Sequence, residues 1–154
     1  VTLGGCSTED PCAYLDDIQI GGADFKGDGF VPWSDGATPE LITGPQSGEH
    51  VWIAFRTSNA FPVGRVFTRT ALRRTDTDKV VTPGISPVGV KVDDFEDGTR
   101  GYSGLRAFSN VSCTVHNTPH IAWSEFQAED GCTVTRRVRI RPQWKPFNSR
   151  CPRR

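Results

Sequence analysis

The segment Thr133–Arg141 limits this chain more than any other stretch. Val134, Val138 and Ile140 fall on one side of an extended chain, and Thr133, Thr135, Arg137, Arg139 and Arg141 fall on the other. A two-residue period of this kind is a strand half-buried against a core, because successive side chains of a strand point to opposite faces. Arg136 breaks the pattern and predicts a bulge or an edge strand. Val88, Val90 and Val92 alternate in the same way with Gly89, Lys91 and Asp93. In Arg65–Arg74, Val66, Thr68, Thr70 and Leu72 share one face; Arg65, Arg69 and Arg73 share the other. His50–Arg56 carries apolar residues on both faces and predicts a central strand. Further extended runs are expected at 18–20, 103–109, 113–115 and 120–126.

No stretch of ten or more residues has helical periodicity. The 16 glycines and 11 prolines divide the chain at short intervals. Seven to eight short strands separated by such turns predict an all-β, two-sheet antiparallel sandwich, with a small closed barrel as the alternative. The expected organisation is an N-terminal extension over 1–15, a sandwich over 16–141 and a Pro/Arg-rich tail over 142–154. No apolar run approaches the ~20 residues of a membrane-spanning helix.

Charge is neutral in total and uneven along the chain. Residues 1–49 hold nine acids and one base, and the remainder holds 17 bases and nine acids, so −8 faces +8. An acidic first third packed against a basic last third is the expected arrangement. A nucleic-acid binder would show net positive charge and a reading element, so that class is set aside. The two arginine rows, Arg65, Arg69, Arg73 and Arg137, Arg139, Arg141, form one basic protein-binding patch if their strands are neighbours. It would take an acidic partner or the acidic third of another copy.

Five cysteines, none in a Cys-x-x-Cys pair, point to disulfides in an oxidising compartment rather than to a zinc knuckle. The expected pairs are Cys113 with Cys132, beside consecutive strands, and Cys12 with Cys151, tying the ends. A Cys6–Cys12 loop is the rival. Leu3-Gly4-Gly5-Cys6 resembles the end of a bacterial lipoprotein signal, which would make Cys6 a lipid attachment point.

With the strand that follows Gly44-Pro45-Gln46-Ser47-Gly48-Glu49-His50, this pattern resembles the immunoglobulin-like β-sandwich domains of exported bacterial surface proteins and lipoproteins. The resemblance implies a non-catalytic structural or interaction module at the cell surface. It carries over no site residue and calls for no cofactor. Hydrolase motifs of the G-x-S-x-G and H-E-x-x-H types are absent.

Two metal readings compete with it. Cys113, His116 and His120, with His50 as a remote ligand, are similar to the copper loop of cupredoxins, which implies electron transfer. Asp24 and Asp28, with Asp93 and Asp94, are loop carboxylates suited to a calcium ion. The tryptophans Trp33, Trp52, Trp123 and Trp144 read as packing residues, with Trp33 and Trp144 the expected exposed pair.

Overall fold

A computed structural model describes residues 9–23, 29–44 and 48–144. In chain order its strands are β1 (Gln19–Gly22), β2 (Val31–Pro32), β3 (Ile42–Thr43), β4 (Glu49–Thr57), β5 (Arg65–Arg74), β6 (Val88–Lys91), β7 (Asp93–Asp94), β8 (Arg100–Ser109), β9 (His120–Gln127) and β10 (Thr133–Ile140). They form two antiparallel sheets that pack as a sandwich. The first has six strands in the order β2-β1-β4-β8-β7, with β3 also paired to β4. The second has four, in the order β10-β9-β5-β6.

β4 is central, as its two apolar faces require. Val51, Ile53 and Phe55 point into the core, while His50 and Ala54 are buried on the opposite face. Phe55 meets Phe126 of the other sheet edge-on, with ring centroids 5.0 Å apart. Each such fully buried ring contributes about 2 kcal/mol. Between Ile53 and Phe55 the β4–β8 register shifts, so that β8 carries an extra residue. Nearby, a Cβ on Gly101 would run into the carbonyl oxygen of Phe55, so only glycine fits there.

Hydroxyls on the inner side of the four-stranded sheet are paired rather than stranded. Thr70 and Ser124 share a hydrogen bond of 3.2 Å, and Thr82 Oγ1 accepts the Leu72 amide at 2.8 Å.

Residues 36–41 run parallel to the end of β10 and beyond. Gly36 N–H donates to Arg139 O (2.9 Å), Arg141 N–H to Ala37 O (2.7 Å) and Gln143 N–H to Pro39 O (2.9 Å). This ladder covers part of an edge strand that would otherwise be open. Arg136 reaches the other way, donating to Ile18 O at 2.7 Å and Asp16 O at 2.8 Å. The acidic and basic thirds therefore do lie together, but hydrogen bonds that each use a backbone group join them. Among the described residues no side-chain ion pair links residues 9–49 to residues 133–144.

Several expectations change. At Arg136 the edge expectation holds and the bulge does not: β10 ends its sheet and its register with β9 is continuous, while the Arg136 side chain lies on the inward face and staples the N-terminal segment. Residues 112–115 are a four-residue helix, not an extended run. Trp144 is buried, at 9% exposure, rather than exposed.

The disulfide is Cys12–Cys132, with Cα atoms 5.4 Å apart, and neither Cys113–Cys132 nor Cys12–Cys151 forms. Cys113 is itself disulfide-bonded, to a partner outside the described residues. The reason is which end of the sheet each occupies. Cys113 precedes the start of β9, and Cys132 follows its end. The 8 residues of β9, about 25 Å of strand, lie between those ends. Tyr14, near Cys12, donates its hydroxyl to Asp130 at 2.7 Å. Burial and then this bond push the phenol up to about 12, while the same bond lowers the Asp130 carboxyl. Cys6 and Cys151 lie outside the described residues.

Candidate functional site

Alternation along β5 leaves Arg65, Phe67, Arg69 and Arg73 facing away from the core while Val66, Thr68 and Leu72 are buried. The strand beside it is β9, not β10. The two arginine rows are therefore not neighbours; they stand about 10 Å apart, two strand spacings, with β9 between them. The register sets out the face in rows. Arg73, Ile121 and Arg139 form one; Ala71, Trp123 and Arg137 the next; Arg69, Glu125 and Thr135 a third; Phe67, Gln127 and Thr133 a fourth.

Charge on this face is partly answered. Asp78, at φ 56°, turns its carboxylate between two strands. Asp78 Oδ1 takes Arg137 Nη2 at 2.6 Å and Oδ2 takes Arg73 Nη1 at 3.3 Å. An aspartate tolerates this left-handed conformation better than most side chains. Arg73 also lies over the Trp123 ring, 4.7 Å from its centroid. Arg69 pairs with Glu125 at 3.7 Å. Next to the face, Arg74 clamps Asp76 at 2.9 and 2.6 Å, and this hydrogen bond holds the Asp76 carboxyl below its ordinary value.

Arg65 and Arg139 have no carboxylate partner among the described residues. Arg65 lies 5.8 Å from the centroid of Phe67, an aromatic ring that is 38% exposed. Arg141 falls beyond β10 and donates to Asn117 O at 3.1 Å, outside the face proper. The face thus sets five arginines against Glu125 and Asp78.

The copper set is not assembled. Cys113 is in a disulfide and offers no thiolate. His116 Nδ1 accepts the Trp144 amide at 3.0 Å, and His120 Nδ1 meets Thr118 O at 2.9 Å. His50 is in the other sheet, packed against Trp52 and Phe108. No group of three His, Cys, Asp or Glu among the described residues can hold a metal ion. Asp93 pairs with Lys91 at 3.2 Å and Asp94 with Arg100 at 3.1 Å, so these carboxylates are occupied by cations. Asp24 and Asp28 lie outside the described residues. Among those described, no helix is long and apolar enough to cross a membrane.

Trp123, Ile121 and Asp78 are members of the face that sequence reasoning missed. Ile121 and Trp123 were assignable to one side of β9, but an apolar pair reads as inward. In fact His120, Ala122, Ser124 and Phe126 are the buried set. No protein-family model matches this chain, and no curated protein is similar to it in sequence.

Proposed function

We propose that this chain is a non-catalytic interaction domain whose outer β10-β9-β5 face docks an acidic protein surface. The observation that carries the reading is the pair of uncompensated guanidinium groups, Arg65 and Arg139, flanking the half-exposed Trp123 and the exposed Phe67. Aromatic rings and arginines are the residue types enriched at the centre of protein interfaces. Free cations at the margins steer an anionic partner and fix its orientation. Two disulfide-forming sites, Cys12–Cys132 and Cys113, support an exported, oxidising location. Display at a cell surface, with Cys6 as a lipid attachment point, belongs to the same proposal.

The test uses fluorescently labelled polyglutamate as the acidic polypeptide and the triple change Arg65→Glu, Arg69→Glu, Arg139→Glu. All three side chains point to solvent, so the sheet should fold unchanged. Binding to the native chain should weaken with salt, and the triple variant should lose about tenfold or more in affinity. Equal affinity in a folded triple variant would refute the arginine face. Sedimentation of the native chain tests the other acidic partner, a second copy.

A further inference from the structure

Where β5 ends and β9 begins, the turn over 75–78, residues 79–83 and the loop over 110–119 enclose a cavity of about 550 Å³. That is within the usual range of small-molecule sites, about 300–1,000 Å³. Val80, Val81, Pro83, Val111 and Pro119 give it apolar walls. Most polar side chains around it are already engaged. Arg74 is clamped on Asp76, Thr82 Oγ1 accepts from Leu72, and Thr118 Oγ1 donates to His116 O.

Asn110, Thr114, Lys79 and His120 keep side-chain polar atoms with no partner among the described residues, and the last two set the chemistry. Lys79, at the rim, has no carboxylate partner among the described residues. His120 is 2% exposed, and its Nδ1 lies 2.9 Å from Thr118 O. A carbonyl oxygen only accepts, so Nδ1 carries the proton and Nε2 of the neutral ring is an acceptor. Nε2 has no partner among the described residues and is not one of the sealed unpaired atoms, and His120 lines the cavity. An acceptor that solvent reaches in this way is free to pair with the donor of a bound molecule.

We propose that this cavity binds a small amphipathic carboxylic acid that also carries a hydroxyl group. The carboxylate pairs with Lys79, the hydroxyl donates to His120 Nε2, and the apolar body lies against Val81, Pro83 and Val111. A phosphate is a poorer match: it needs several convergent donors, and Arg74 is already committed to Asp76. The cavity shares no residue with the arginine rows, so this proposal is independent of the docking face.

The test is a titration followed by amide and imidazole NMR signals, with para-hydroxyphenylpropanoate as the probe. Phenylpropanoate lacks the hydroxyl, and para-hydroxyphenylpropanamide lacks the charge. The probe should shift the signals of residues 79–83 and 110–120 and the Nε2 resonance of His120. Each analogue should bind about tenfold more weakly. Lys79→Ala should erase the preference for acid over amide. His120→Asn should erase the preference for the hydroxyl, since the asparagine amide can keep the donation to Thr118 O. Equal binding of all three compounds, shifts confined to other residues, or no shifts would overturn the proposal. Should His120→Asn not fold, the native Nε2 resonance still decides: no change at saturation refutes the contact.

Discussion

The outer faces of the two sheets use the same pair of residues to different ends. On the four-stranded sheet Arg73 lies over Trp123 at 4.7 Å; on the six-stranded sheet Arg106 lies over Trp52 at 4.6 Å. Arg73 is also held by a carboxylate, Asp78, which it shares with Arg137. Trp52, with Phe108, instead encloses His50, which is 4% exposed and has no partner on either ring nitrogen. Burial, and then the charge of Arg106, lowers the His50 pKa below its ordinary value. An arginine–tryptophan contact is worth roughly 0.5–2 kcal/mol in either setting. What sits behind it makes one face responsive to salt and the other to pH.

The largest expected effect separates the two tryptophans. Trp52→Ala should cost about 3 kcal/mol, because it removes a large ring packed against both His50 and Arg106. Trp123→Ala should cost about half as much and weaken polyglutamate binding as well. Denaturant midpoints read the stabilities, and equal losses would erase the distinction.

The next effect is acid sensitivity. A folded-state pKa below the ordinary 6.5 means that the unfolded chain takes up a proton that the folded chain refuses. The contribution of His50 is thus fully present above 6.5 and is lost as pH falls from there through the lowered value. His50→Phe should remove that part of the slope and be neutral or stabilising by about 1 kcal/mol, since two unpaired nitrogens disappear. Unfolding at neutral and mildly acidic pH checks this; an unchanged slope would clear His50 of the effect.

Asp78→Asn should keep the left-handed turn and cost about 0.5–1 kcal/mol, a loss that fades at high salt. The same change adds positive charge to the face, so polyglutamate should bind more tightly to a less stable protein. Glu125→Gln, which breaks only the 3.7 Å pair with Arg69, should cost about 0.2 kcal/mol, with a small gain in binding at low salt.

How much of this was legible depended on whether a segment's pattern is local. Arg65–Arg74 is legible residue for residue because one of its faces is solvent and its alternation is clean. In β9, between two strands, the outer face is half-covered by its neighbours. Ile121 and Trp123 can therefore sit outside while Ser124 is fully buried, an inversion that only the register reveals. Cys113-Thr114-Val115 has β-branched residues and reads as extended. Thr114 and Val115 amides instead close onto Val111 O, and Asn117 at φ 51° turns the chain. Cysteine pairing was illegible for a different reason: sequence neighbours of two adjacent strands can lie at opposite ends of a sheet. Arg136 marked an edge strand correctly, but its partners, the carbonyls of residues 15–18, are about 120 positions away and were out of reach of a local pattern. The candidate face was half legible. The arginine rows were visible, but not the strand of tryptophan and isoleucine that separates them.

The Cys12–Cys132 bridge also changes how the domain would bear tension. Its two sulfurs span 120 positions of sequence, about 400 Å of fully extended chain. A pull applied before Cys12 and after Cys132 crosses a single covalent bond. The strands from β1 to β9 lie between those points and carry none of it. Force that would unzip an unbridged sandwich leaves β1 to β9 folded, and of the strands only β10, which follows Cys132, is loaded. Reduction of this bond brings the load onto those strands, while the Cys113 disulfide still closes its own loop, so the extensibility of the tethered domain depends on redox conditions as well as on the strength of its sheets.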